Sequence, residues 1–281
     1  MIPASPYRGP GPGRPQCIAL PPDPMPLRRD GRWLKRWRYV GVYGPRLMLC
    51  AGEARVGPTR QVWWALWDRE ARRLEERTRL LIGRSRVRLE PGRVRVSDGA
   101  VDFDLSFAEH AGVEVVTPDG ESYAWTRKQA GRSARGTVRS GERTCAIEAP
   151  VFVDESAGYH PRHTAWRWSA GVGEASGGSG VAWNLVDGVH DSARDSERTV
   201  WVDGEPAEVG PVTFAEDLSS IAFAEGGELR FDAEAVRRRD DNLLLFRSSY
   251  RQPFGTFSGA LPGTGALTRG FGVMEHHDVH W

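Results

Sequence analysis

The sequence predicts an all-β, antiparallel fold, and three observations predict it. Val101, Phe103, Leu105 and Phe107 alternate with Asp102, Asp104 and Ser106, the period of a strand with one buried face. Pairs such as Pro91-Gly92, Asp98-Gly99, Asp119-Gly120, Ser140-Gly141, Asp203-Gly204 and Gly226-Gly227 fall where hairpins would turn. Runs of this kind recur at least eleven times, which argues for a barrel or a sandwich.

Residues 1–32 hold nine of the 19 prolines, with glycines at positions 9, 11, 13 and 31. Each proline removes a backbone donor, so this segment reads as an extended arm that contributes little to the core. After Trp33 the strand-like runs are 38–49, 60–67, 86–96, 101–107, 122–128, 134–139, 143–149, 164–170, 180–186, 198–203, 219–223, 228–232, 243–250 and 267–274. One segment is ambiguous: Trp67, Ala71, Leu74, Thr78 and Leu81 are spaced as on a helix. Both flanks look like strands, so a hairpin turning near Asp68-Arg69-Glu70 is favoured. A short helix is expected at 233–238. The organisation read here is an arm (1–32) and two halves, 33–150 and 151–281, each able to make a small barrel.

With 40% hydrophobic and 27% charged residues, the 281-residue chain is of the soluble globular type. A net charge of +1 calls for neither nucleic acid nor an acidic membrane surface. Lys35 and Lys128 are the only lysines in an arginine-rich chain. Cys17, Cys50 and Cys145 are too few and too scattered for a disulfide framework or a zinc knuckle. No apolar run approaches 18 residues, and the first residues lack the basic-then-apolar order of a signal peptide. A cytoplasmic protein without stable membrane insertion is expected.

Three clusters concentrate the chemistry. The first, VDESAGYHPRHTAWRWSAGVG over 153–173, packs ionisable and aromatic groups that are costly to bury without partners. Asp154 follows an apolar strand end, where burial would keep it protonated as a general acid; otherwise it caps the turn at 156–158. Tyr159, His160, Arg162 and His163 precede a strand on which Trp166 and Trp168 share a face. The second cluster, 184–201, brings Asn184, Asp187, His190 and Asp191, with Trp183 beside them. Asp187 and His190 suit an oriented base or a loop tether, and Glu197-Arg198 reads most simply as a local or cross-strand ion pair. The third is GVMEHHDVHW at the C-terminus, preceded by Tyr250 and Phe254. There Glu275 and His277 share one strand face, and His276, Asp278 and His280 the other. No remote motif completes a metal-ligand set, so no metal or other cofactor is expected. Phosphate-binding loops and a GxSxG elbow are also missing from the sequence.

The blocks GYHPRHTAWRWSAG, NLVDGVHD with ERTVWVDGE, SSYRQPFGTFSG and GVMEHHDVHW resemble the bacterial family DUF2804, which has no assigned activity. More distantly, Asp154-Glu155-Ser156-Ala157-Gly158 followed by Trp166-Arg167-Trp168-Ser169 resembles the D-H-x-x-G and W-x-W-S pattern of carotenoid 1,2-hydratases and AttH-like proteins. This resemblance implies two tandem lipocalin-like antiparallel β-barrels behind the Pro/Gly-rich arm. It also implies Asp154 as the acid that protonates an alkene, with Trp166 and Trp168 lining an apolar channel. The chain departs from that pattern in having Phe152 and Val153 before the Asp and Glu155 in place of the His.

These readings converge on a protein that binds an apolar, lipid- or terpenoid-like molecule in a barrel cavity or inter-barrel cleft. Cofactor-independent acid–base chemistry (hydration, isomerisation or cyclisation) is the favoured use. The candidate catalytic residues are Asp154, His160, His163, Asp187, His190 and Glu275. The candidate ligand-binding residues are Tyr159, Arg162, Trp166, Trp168, Trp183, Asn184, Tyr250, Phe254 and His277. The alternatives are a carrier with no chemistry, in which the same polar groups form a closed network, and a carbohydrate-binding or carbohydrate-processing protein.

Overall fold

A computed structural model describes residues 2–80, 85–243 and 246–281. Among these, the regular structure is all β: two large antiparallel sheets and a two-stranded ribbon, with no helix. The first large sheet runs Arg73–Leu80, Thr59–Asp68, Leu47–Val56, Lys35–Tyr43, Arg143–Gly158, Ser122–Ser140, Val101–Phe107, Arg93–Asp98, Val87–Glu90. It curls until Val87–Glu90 returns against Leu47–Val56. The second sheet runs Glu205–Glu208, Thr199–Val202, Gly180–Asp187, His163–Ala175, Leu267–His280, Phe246–Gly259, Glu228–Leu243, Ser220–Phe223, Val212–Phe214. It curls in the same way, bringing Gly180–Asp187 to Val212–Phe214. The fold is two tandem lipocalin-like barrels.

Strand alternation explains why the central strands look apolar on both faces. On Lys35–Tyr43, Val40 and Val42 join Leu49, Ala51, Val62 and Trp64 in the core of the first barrel. Tyr39 and Tyr43 point the other way, joining Trp168, Ala170, Trp201 and Phe254 of the second sheet. Trp183, Leu185 and Ile221 belong to the second barrel's own core. Each barrel is therefore filled from within, and a third apolar layer lies between the two sheets.

Several expectations are corrected. Residues 151–158, grouped by sequence with the second half, pair within the first sheet, Val151 with Val42 and Gly158 with Lys35. Residues 233–238 form no helix but lie in the strand Glu228–Leu243, where Ala235 pairs with Phe254 and packs between the sheets. Cross-strand pairing outweighs the local helix preference there. The run 38–49 is broken at Gly44-Pro45-Arg46, and 122–128 and 134–139 are one strand with a bulge between Gln129 and Arg132. At that bulge Gly131 has φ 79°, and a Cβ there would meet Gly204 of the second sheet at 2.7 Å, so only glycine permits the approach. The hairpin after Thr59–Asp68 turns at 69–72, where sequence places it; Leu81 lies outside the described residues.

The arm is also not peripheral. Leu20 and Met25 are buried with Val116, Tyr123, Trp125 and Tyr159. Tyr7–Gly9 pairs with Glu114–Val116, and the Tyr123 and Tyr159 hydroxyls donate to the carbonyls of Ala19 (2.6 Å) and Pro26 (2.7 Å). Prolines bar the arm from a central strand, yet they leave its carbonyls free to accept and its side chains free to be buried.

Candidate functional site

A cleft of about 490 Å³ opens between the outer faces of the two sheets. Its walls are mostly apolar, with Trp33, Trp37, Trp63, Trp166, Trp168 and Trp281 prominent. A larger, open groove of about 1310 Å³ lies at the mouth of the first barrel. Its charges pair off: Arg38 with Glu155 (2.6 Å) and Glu109, and Arg60 (2.5 Å) and Arg55 (2.6 Å) with Glu53. Glu155 thus faces away from Asp154, as neighbours on one strand must. The cleft is the better site because its lining is mostly apolar while Lys128, Asp154, Glu197 and Glu275 are buried in it.

At one end of the cleft, strand register sets Lys128 opposite Asp154. Lys128 Nζ lies 2.5 Å from Asp154 Oδ1 and 3.3 Å from Glu197 Oε1, the latter from the second sheet. Two buried carboxylates therefore share one ammonium. Burial raises the Asp154 pKa, with Glu197 adding to the effect against the pull of Lys128. Burial also opposes the Glu197 carboxylate, but Lys128 and His190 outweigh it and its pKa is lowered. For Lys128 burial favours the neutral amine, yet Asp154 and Glu197 prevail and its pKa is raised. Of the two carboxyls, Asp154 is the one that more readily carries a proton; it lies within a strand and caps no turn.

The loop after Gly180–Asp187 delivers Glu197. Arg198 donates to the carbonyls of Asp191 (2.8 Å), Ser192 (2.6 Å) and Val209 (3.3 Å), cinching that loop. A local Glu197–Arg198 ion pair is not formed: Glu197 meets Lys128 of the first sheet while Arg198 is spent on the loop carbonyls. Arg8 of the arm holds the same loop, donating to the Ser196 carbonyl and to Thr199 Oγ1 (2.9 Å). Asn184, fully buried, accepts from Trp168 Nε1 (2.8 Å) and donates to the Glu197 carbonyl (2.8 Å). It ties a wall of the cleft to the acidic loop without lining the cleft.

His160 and His190 stand beside this trio, ring to ring at 5.4 Å, and His160 stacks on Trp37 at 5.1 Å. Burial lowers both pKa values, that of His160 strongly, so both imidazoles are neutral at pH 7. Lys35 donates to the His160 carbonyl (2.9 Å) and lies 5.1 Å from the ring of Trp281, placing both of the chain's lysines beside the cleft.

Glu275 occupies another wall. It accepts from Trp166 Nε1 at Oε1 and from Tyr250 OH and Gln252 Nε2 at Oε2, each at 2.9 Å. Burial raises its pKa against those donors. Gln252 is itself oriented by Arg237, whose Nη1 donates to Oε1 at 3.1 Å while its Nε pairs with Glu76 at 2.8 Å. His277 meets Ser248 Oγ at 2.8 Å, and burial drives its pKa down to about 4.

Of the residues singled out by sequence, Asp154, His160, Trp166, Trp168, His190, Tyr250, Glu275 and His277 line this cleft. The rest lie elsewhere. His163 faces outward, bonded to Asp278 (3.1 Å) and stacked on His280 (4.1 Å). With Asp278 and His280 it offers ligand atoms within 4.8 Å of one another, the group of described residues with metal-ligand chemistry. Asp187 stands 3.9 Å from Arg167 at the surface, and the loop is tethered instead by Asp191, which accepts from the Gly188 N–H (2.8 Å). Arg162 is exposed, and Tyr159 is spent on the arm. Trp183, with its N–H on Ser169 Oγ (3.0 Å), sits in the second barrel, and Phe254 is wholly buried between the sheets. Sequence reasoning missed Lys128, Arg237, Gln252 and Trp37. Only Lys128 left a trace, as one of two lysines in a chain that otherwise uses arginine.

Filled barrels with a cleft between their outer faces define a double-barrel lipocalin-like protein. The chain belongs to the family described as a domain of unknown function, DUF2804, whose model matches residues 83–281. Among curated proteins none matches it. Solved structures share its fold, two of them as follows. An AttH-like protein of Nitrosomonas europaea is 14% identical with a TM-score of 0.51, over 92% of this chain and 98% of that one. Kievitone hydratase from Nectria haematococca is 11% identical with a TM-score of 0.52, over 86% of this chain and 88% of that one.

Proposed function

We propose that the protein holds an apolar small molecule in the inter-sheet cleft and moves a proton on it, with Asp154 and Glu275 as the acid–base groups. The observation that carries this reading is Glu275, a buried carboxyl presented by three donors to an indole-walled cleft. Asp154, raised by burial and by Glu197, is suited to give a proton; Glu275, whose donors favour the ionised form, is suited to take one. The tryptophan faces favour any positive charge that develops between them. Hydration, isomerisation and cyclisation of an alkene all use this pairing, and one protein of the same fold is named a hydratase. The mostly apolar lining of the cleft supports an apolar ligand over a sugar.

Native mass spectrometry of gently purified protein tests the binding half: a bound lipophile is expected, displaceable by an apolar fluorophore. Protein that carries none and leaves such a fluorophore unbound would overturn it. With a substrate in hand, Asp154→Asn should lower turnover by about 10²–10⁴-fold while retaining ligand affinity. Unchanged turnover would remove Asp154 from the acid–base pair, and a bound ligand that is never turned over would reduce the protein to a carrier.

A further inference from the structure

We propose that the cleft's ligand carries a positively charged nitrogen on its apolar body, with Glu275 as counter-charge and the indole rings as walls. The inference rests on the reading that the cleft takes an apolar small molecule, and names its charge.

The donors around Glu275 are not interchangeable. The indole N–H of Trp166 can only donate. Gln252 is pinned by Arg237 at its oxygen, so its NH₂ must face Glu275. Only the Tyr250 hydroxyl could turn to accept a proton from a neutral carboxyl. The site is therefore built around a carboxylate. Yet among the described residues no cation pairs with Glu275 within 4 Å; Arg237, beyond Gln252, is engaged by Glu76. A buried, unneutralised carboxylate is costly, which is why burial pushes this group's pKa up.

The far wall differs. Asp154 and Glu197 share the ammonium of Lys128, and Lys35 stands nearby on the His160 carbonyl, so this end carries its own cations. Glu197 Oε2 and the Thr126 hydroxyl that approaches it both lack a well-formed hydrogen bond. A neutral ligand would leave Glu275 uncompensated. A small hydrated metal ion suits the site poorly, since three of about four lone-pair positions on Glu275 already hold fixed donors. An apolar ammonium needs only the remaining one, and aromatic faces replace its hydration.

The test is a ligand series on the full-length protein: octyltrimethylammonium, 1-octanol and octanoate, each below its aggregation concentration, followed by tryptophan fluorescence and calorimetry. The ammonium should bind at least tenfold more tightly than octanol, with octanoate weakest. Glu275→Gln should abolish the preference, whereas Asp278→Asn, which removes an outward-facing charge, should preserve it. Octanol or octanoate binding as tightly as the ammonium would overturn the charge and leave the apolar-ligand reading standing. Failure of all three to bind would remove both. The wild-type series decides the question even if Glu275→Gln misfolds.

Discussion

Lys128 stands directly across an antiparallel pair from Asp154, its ammonium 2.5 Å from the carboxylate and 3.3 Å from a second one, Glu197, on the other sheet. This contact joins the two barrels through charge, as the Arg237–Glu76 pair (2.8 Å) does elsewhere in the same layer. Lys128→Met would leave two buried carboxylates facing each other. Breaking a buried pair in this way typically costs about 3–5 kcal/mol, and chemical denaturation should show it. Asp154→Asn keeps the Lys128–Glu197 pair and should cost less. A Lys128→Met protein as stable as wild type would contradict the pairing.

Stability should fall on mild acidification. The folded pKa values of His160, His190 and His277 lie below the ordinary value of 6.5. Their neutral forms are favoured by folding, so their contribution is complete above the unfolded value and is lost as pH drops below it. For His277, lowered from 6.5 to about 4, that contribution is roughly 3 kcal/mol. Asp154 and Glu275, being raised, act in the opposite sense: they stabilise below the ordinary carboxyl range and lose that contribution as pH rises through their folded values. Melting temperature should therefore decline between pH 6.5 and 4, and His277→Gln should flatten the decline. An unchanged slope in that variant would argue against His277 as the source.

The arm is expected to matter for stability. Deleting residues 1–24 removes buried Leu20, the Tyr7–Gly9 pairing and the Arg14–Glu114 bridge (2.8 Å). A loss of several kcal/mol should follow, of which Leu20 burial alone accounts for about 2–3. Arg8→Ala should cost about 1–3 kcal/mol, since it leaves the buried Ser196 carbonyl and Thr199 hydroxyl short of a partner. A truncated protein with the wild-type melting temperature would show that the arm merely rests on the body.

Trp168 and Asn184 should behave as a unit. Trp168→Ala removes an indole packed against Tyr39 and Phe152 and should destabilise by about 3–5 kcal/mol. Asn184→Ala should cost about 1–3 kcal/mol by orphaning the indole N–H and leaving the Glu197 carbonyl with only the Thr199 hydroxyl. A double-mutant cycle should be non-additive. Strict additivity would mean that the hydrogen bond does not couple them.

The sequence by itself determined the local order of this protein. Alternation at Val101–Phe107 and turn pairs such as Asp119-Gly120 act over a few residues, so strands and hairpins were legible from them. The density of Asp154, His160, Trp166 and Glu275 likewise marked where chemistry would gather. Only the tertiary structure decided which strand face became the site. Lys35–Tyr43 is apolar on both sides, and nothing local states that Val40 fills a barrel while Tyr39 meets the other sheet. The Lys128–Glu197 contact spans both sheets, and Gln252 reaches Glu275 from a neighbouring strand, so register and sheet packing created both arrangements. The arm misled for the same reason: its prolines speak only of missing backbone donors, whereas the burial of Leu20 depends on a surface presented by Val116, Tyr123 and Tyr159, about a hundred residues away.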